Sequence, residues 1–578
     1  MNRDELKKVN VLGPDKISVK QGIEHSKTKM ENVKHVQVIV IGAGPAGLQL
    51  GYCLQNSGLD YLILERDSVA SFFTKYPRDG QLISFNKRYS IYDDPEVNLR
   101  WDWNSLLTED YGHPFANYSE KLYPRSSELV DYLRDFAKKY ALNIKEGVNV
   151  VSVDRQGNRI LLVEEGGTRY TCNYLVVASG LTRLYYPDVP GIEQVVETYC
   201  NVSLNGDDFR GKRILIIGKG NSGFEVADRY LDSAALIHLV SPESVTLAWQ
   251  TRHPGHLRAN YARILDSYQL KTLHGALDAR IVSIDKVDGT YEVEFEYMHA
   301  DGERETIEYD HVILCAGFKF CDKLFSENIK PELALNGRFP AVTSEWESKN
   351  IRNVFFCGTL MQSLDFKRAA SAFIDGFRYN ARSLAKIIAA RAGLDDLIAE
   401  AGELSAESIV DYVEKRVCRT SSLWTQFGSL SDIIGYDTES NRFVVYQDLS
   451  VNYHTDFLTE KYPVRSVLTF EWGDFNGNVF QIERHPSSEM AYTNVFLHPI
   501  IRTYVGTELV STHHILEDLF GMYSSATAAN TRKRIRGKSV REYHHAQHHI
   551  PLVQYFTSLV STLAESRHDS MEVSAQLA

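Results

Sequence analysis

The sequence predicts an α/β chain with two Rossmann-like dinucleotide-binding domains, the second inserted in the first, followed by a C-terminal α+β extension. Three observations carry this. A β-branched strand that ends in glycines and opens a helix occurs twice, at Val36 to Gly42 and at Arg213 to Gly218. After these units lie two further short buried-strand patterns, HVILCAG and VFFCGT. Past about Gly393 the texture changes to aromatic and β-branched runs such as RFVVYQDLSVNYH and VRSVLTFEW.

In order along the chain, residues 1–34 are polar and aperiodic and read as a flexible arm. Residues 35–190 and 305–392 form the first domain, 191–304 the inserted one and 393–578 the extension. VQVIVIG reads as a strand buried on both faces. Pro45, with its fixed φ, starts a helix that Gly58 stops. YLILERD is the next strand, and NVVSVDR, RILLVEE and YLVVASG form a meander. In the extension, DLIAEAGELSAESIVDYVEKRV reads as helical.

Of the 578 residues 43% are hydrophobic and 24% charged, which excludes collagen-like, disordered and coiled-coil chains. A net charge of −12 argues against nucleic acid as a partner, because phosphate affinity needs clustered positive charge. No run is apolar enough to span a membrane, and the N-terminal stretch has no secretory h-region, so the expected compartment is the cytoplasm and no membrane partner is expected. The seven cysteines show no CxxC spacing, so neither a disulfide framework nor a zinc site is expected. A small-molecule substrate remains, and a homo-oligomer is compatible with the sequence.

The first loop, Gly42-Ala43-Gly44-Pro45-Ala46-Gly47, places backbone amides and a helix N-terminus where a pyrophosphate would lie. Glu65 ends the following strand, where a carboxylate accepts from the hydroxyls of an unphosphorylated ribose, with Arg66 counted in the same site. The second loop, Gly218-Lys219-Gly220-Asn221-Ser222-Gly223, repeats the pattern. Together they predict FAD on the first loop and a nicotinamide cofactor on the second. After the second unit's strand LIHLVS the sequence reads Ser241-Pro242-Glu243, where Glu243 would repel a 2′-phosphate while Ser241, Lys219, Arg252 or Arg258 could bind one, so NADH stands beside NADPH.

GAGPAG, VVASG with Gly180, and FRGKRILIIGKGNSGFEVA resemble the flavin-containing monooxygenase and N-hydroxylase group. That group's Phe-x-Gly, His and Tyr signal before the second loop is not intact in VVETYCNVSLNGDDF. A longer resemblance, through SFFTKYPRDGQLISFNKRYS, NLRWDWNSLL, GTLMQSLDFKRAASAFIDGFRY, NVFLHPII and THHILEDL, is to the animal endoplasmic-reticulum FAD-dependent oxidoreductases, ERFAD.

The resemblance implies FAD, NADPH and dioxygen, and a monooxygenase working through a C4a-hydroperoxyflavin. It implies a role for Asn86, in LISFNKRY, as the amide that steadies this peroxide; a turn asparagine is the structural alternative. SLDFKRAASAF reads as a loop entering a helix whose amides face the flavin, with Gly358 and Phe373 in that block. The same comparison brings Lys87, Arg88, Arg100, Lys367 and Arg368 toward the flavin, where they would bind a carboxylate; pairing or solvation accounts for most of them otherwise.

The expected reaction is therefore N-hydroxylation of the amine of a small carboxylate-bearing metabolite or amino acid in a specialised biosynthetic pathway. Two alternatives stay open: a thiol or disulfide reductase like ERFAD, with Cys315 and Cys321 as its fallback pair, and a non-catalytic FAD-containing interaction protein. His544, His545, His548 and His549 include i,i+4 pairs without a carboxylate or cysteine partner, and no metal is expected there. The basic run Arg532 to Lys538 reads as a solvated face, and Trp101 and Trp103 as core or pocket wall.

Overall fold

The computed structural model describes residues 33–474, 481–526 and 532–565. All but two positions of the expected N-terminal arm lie outside them. Strand β1 begins at Lys34, just before the apolar run, because its first residues pair with Tyr170 and Thr171 of a neighbouring strand.

The first sheet is built around β1 (Lys34–Ile41), with β2 (Tyr61–Leu64) and β3 (Ile144–Lys145) parallel on one side. On the other side β1 runs parallel to β6 (Arg169–Val177), which pairs antiparallel with β5 (Arg159–Glu164) and through it with β4 (Val150–Gln156). Val38, Ile39 and Val40 are fully buried, as a strand covered on both faces requires. The sheet is completed by the late strand Val354–Phe356, which pairs parallel with Leu175 to Val177 of β6. A second sheet intervenes in the chain. Its parallel centre is Arg213–Ile217, Leu236–Ser241, the start of Gly275–Val287 and His311–Leu314, and Thr290–Tyr297 and Arg304–Tyr309 extend it antiparallel.

Beyond residue 393 the chain forms a six-stranded antiparallel sheet whose strands, edge to edge, are Glu400–Glu403, Arg442–Ser450, Leu430–Asp437, Val464–Glu471, His498–Val505 and Glu508–His514. The stretch read as one helix is divided: Glu400–Glu403 pairs at the sheet edge and the helix begins only at Ala406. Ser405 explains the boundary, since its hydroxyl accepts from the Ser408 amide as an N-cap.

The extension shares one core with the first unit. Leu384 and Ile388 of the helix Ile374–Arg391 belong to the same buried cluster as Val413, Ile433 and Phe556. Arg100, 3% exposed, adds a polar strut. Its guanidinium donates to the carbonyls of Val417 and Thr420 at 3.0 and 2.9 Å and of Gly521 at 3.0 Å, and lies 4.7 Å over the Trp424 ring. No helix among the described residues is long and apolar enough to cross a membrane.

Candidate functional site

The two glycine loops fold alike. Gly42 and Gly218 hold φ of +107° and +120°, which favour glycine. A Cβ on Gly47 would stand 1.9 Å from the Gly42 carbonyl oxygen, and one on Gly223 2.2 Å from that of Gly218. The third glycine of each loop is thus fixed by helix–strand closeness. The middle glycines differ: a Cβ on Gly44 or Gly220 would meet nothing within 4 Å. Open space at that one position is what a loop requires if its backbone is to approach a phosphate.

Both loops face one cavity of about 470 Å³, lined by Gly44 to Ala46 from the first and by Asn221 and Ser222 from the second. Gly180, Gly358 and Phe373 line it too. Gly358, at φ +74°, lets the turn before the helix Ile374–Arg391 approach the first loop, since a Cβ there would lie 2.5 Å from that of Ala46. Glu65 closes the loop from behind: its Oε2 accepts from the Ala43 amide at 2.7 Å and its Oε1 from the Asp67 amide at 2.9 Å. These bonds leave lone pairs on both oxygens for a ribose. Arg66 points away and pairs with Asp67 at the surface. At the second loop, the Ser241 hydroxyl donates to the Glu243 carbonyl, and Lys219 forms an ion pair with Asp278.

Asn86 does not line the cavity. It is buried, and its amide donates to the Ser119 carbonyl at 2.7 Å. Asn104 does line it: 1% exposed, it donates to the Phe85 carbonyl at 3.0 Å and leaves its side-chain oxygen without a partner. Arg338, on the same lining, likewise leaves Nε unpaired. Two buried polar atoms without partners beside an open loop fit a large polar ligand such as a flavin.

Opposite signs of charge flank this wall. Burial, then the charge of Asp79, raises the Glu225 carboxyl to about 7, while Asp375, in the first turn of the helix Ile374–Arg391, is pushed by burial to about 6. Burial lowers Lys87 to about 8, its ammonium 4.0 Å over the Trp103 ring. Of the other expected carboxylate binders, Arg88 pairs with Glu120 and Arg100 is spent on the strut described above. Lys367 and Arg368 line a different cavity.

All seven cysteines are free. Cys357 is the one that lines the loop cavity, its thiol pushed up by burial. Cys315 is buried behind the second loop, its carbonyl oxygen 2.4 Å from where a Gly218 Cβ would stand. Among the described residues no group of His, Cys, Asp or Glu is arranged to hold a metal: His549 pairs with Glu414, His544 with Asp518, and His548 bonds the Tyr523 carbonyl.

Residues 39–358 match the family described as pyridine nucleotide-disulphide oxidoreductase. The chain belongs to that family. As a pyridine nucleotide-disulphide oxidoreductase family member it is a flavin-dependent oxidoreductase, and FAD and NADP(H) are the cofactors that go with its paired loops. The chain is 32% identical over 539 residues to FAD-dependent oxidoreductase domain-containing protein 2 of Mus musculus, covering 84% of this chain and 81% of that one. It is 28% identical over 232 residues to the probable indole-3-pyruvate monooxygenase YUCCA1 of Arabidopsis thaliana, covering 38% and 51% respectively. Among solved structures, the flavin-containing monooxygenase from Stenotrophomonas maltophilia superposes with a TM-score of 0.49 at 22% identity, covering 62% of this chain and all of that one.

Asn104, Glu225 and Arg338 escaped the sequence reading. Asn104 sits in WDWNSLL, where Asp102 accepts from the Asn104 and Ser105 amides in a local turn, and only the path of the chain between Phe85 and Leu107 brings it to the cavity.

Proposed function

We propose that this flavoprotein is an FAD- and NAD(P)H-dependent monooxygenase that N-hydroxylates the amine of a small carboxylate-bearing metabolite. The observation that carries the reading is the cavity itself, reached by both glycine loops and presenting the buried amide of Asn104 with an unpaired oxygen. Bound there, FAD supplies two-electron chemistry and oxygen activation. The chain's own part is to exclude water with Phe72, Phe73, Phe373 and Phe377 and to offer the Asn104 amide oxygen, which accepts a hydrogen bond and delivers no proton.

A thiol or disulfide reductase is the second reading, favoured by the family match. It needs two thiols that relay electrons. Cys357 stands alone on the cavity wall, its Sγ 3.8 Å from the Ala46 carbonyl oxygen, and the fallback pair Cys315 and Cys321 is unbonded. The test is rapid mixing of the NAD(P)H-reduced protein with oxygenated buffer. A transient absorbance band belonging to neither reduced nor oxidised flavin is expected; direct return to the oxidised spectrum, with turnover of a dithiol or disulfide substrate, overturns the proposal.

A further inference from the structure

A second cavity, of about 830 Å³, lies where three parts of the chain meet. Its walls are the turn 250–253 behind the second loop, the loop 364–369 that leads to the helix Ile374–Arg391, and strand ends of the C-terminal sheet around Ser429, Ser450 and Trp472. It adjoins the flavin cavity through one aromatic pair: His253, on its wall, packs against Phe373 with ring centroids 6.0 Å apart, and Phe373 lines the other space.

The charged groups lining this cavity are Arg252, Lys367 and Arg368 against Asp365, Glu471 and Asp474. Lys367 and Arg368 are exposed, and among the described residues neither has a carboxylate within ion-pair distance. Arg368 uses one Nη on its own loop, at the Leu364 carbonyl, 2.7 Å away. Lys367 holds φ of +57°, a backbone conformation uncommon for side chains other than glycine and frequent at ligand sites. Asp365, on the same loop, is 5% exposed. Its Oδ2 accepts from the Ser371 hydroxyl at 2.7 Å, while Oδ1, with the Ser429 hydroxyl beside it, forms no well-directed hydrogen bond. Glu471 on the far wall is no rival, since Arg502 and Thr469 already satisfy it. Arg252 is held by the Val495 carbonyl and stacks 4.7 Å over Trp472.

A buried carboxylate oxygen without a well-directed partner calls for a cationic donor, and two cations without carboxylates call for an anion. We infer that this cavity binds a small zwitterion, an α-amino acid in class, with its carboxylate on Lys367 and Arg368 and its ammonium on Asp365. It rests on the monooxygenase reading only in making this ligand the substrate that waits beside Phe373. Burial holds the Asp365 carboxyl above its ordinary range, and an ammonium beside it would favour the ionised form.

The test is titration calorimetry of the oxidised, FAD-loaded full chain without NAD(P)H. The probes are the free L-amino acids, with succinate and 1,4-diaminobutane as controls that carry one sign of charge. At least one amino acid is expected to saturate. Arg368→Ala and Asp365→Asn should each weaken it about tenfold or more, or 1.4 kcal/mol. The site is overturned if no amino acid saturates, if either control binds as tightly, or if both variants keep wild-type affinity with wild-type FAD content and melting temperature. Because the measurement needs no turnover, a missing oxygenation signal counts against the proposed function alone, and missing binding counts against this site alone.

Discussion

The Glu225 carboxylate accepts the Asp79 backbone N–H at 3.0 Å through Oε1 and the Tyr199 hydroxyl at 2.8 Å through Oε2. Glu225 lies on the helix behind the second glycine loop and Asp79 in the segment that frames the flavin cavity, so this carboxylate ties one nucleotide unit to the other.

That tie makes stability depend on pH. Burial and the nearby Asp79 raise the Glu225 carboxyl from 4.5 to about 7 in the folded chain, so between these values the native state binds the extra proton. Stability from this group is therefore lost as pH rises through that window and stays lost above it. Glu225→Gln should remove this slope and be more stable than the parent at pH 8 by roughly 1–3 kcal/mol. Urea midpoints at pH 5 and 8 measure it; a parent no weaker than the variant at pH 8 refutes it.

The two asparagines should separate cleanly. Asn104→Ala is expected to retain FAD but to release hydrogen peroxide for most of the NAD(P)H consumed, because the buried amide whose oxygen is left unpaired at the cavity is gone. Asn86→Ala loses the bond to Ser119 inside the core and should cost about 1–2 kcal/mol of stability with coupling unchanged. The ratio of peroxide to nicotinamide oxidised, with melting curves, distinguishes them.

Glycine positions within one loop should behave differently. Gly220→Ala has room for its methyl group and should fold normally while binding the pyridine nucleotide about tenfold more weakly, as the Cβ fills space meant for phosphate. Gly223→Ala meets the Gly218 carbonyl and should fail to give a soluble, nucleotide-binding protein. Thermal melts and nucleotide titrations decide between equal and unequal effects.

Arg100→Ala removes the donor from three buried carbonyls at once. At about 1–3 kcal/mol for each buried group left unsatisfied, a loss of at least roughly 3 kcal/mol is expected, visible as a lower denaturation midpoint with unchanged flavin absorbance in the surviving protein. A neutral substitution would show that water replaces the guanidinium.

How far the sequence spoke depends on how local each signal was. The strand, glycine loop and helix units were legible because backbone sterics force glycine at Gly42 and Gly218, and Glu65 lies at a fixed distance along the chain. The meander of β4, β5 and β6 was legible from its alternating pattern. The strand Glu400–Glu403 was not, since its only stabilisation is pairing with the distant residues Arg442 to Val445. Cations were the least legible. Arg100 and Arg368 look alike in sequence, yet one meets three carbonyls of the extension and the other faces a cavity, a difference made entirely by tertiary contacts. Asn104 was hidden for the same reason.

The late pairing of Val354–Phe356 with β6 has a consequence for biosynthesis. As the polypeptide leaves the ribosome, the inserted unit can finish its own sheet once Leu314 emerges, whereas the surrounding one must wait for a strand some forty residues later. Vectorial synthesis then favours an order in which the inner module matures first and serves as a platform for the outer one. Protease resistance of ribosome-stalled chains long enough for Leu314, but not Phe356, to have left the exit tunnel would reveal that head start, and its absence would mean both modules mature together.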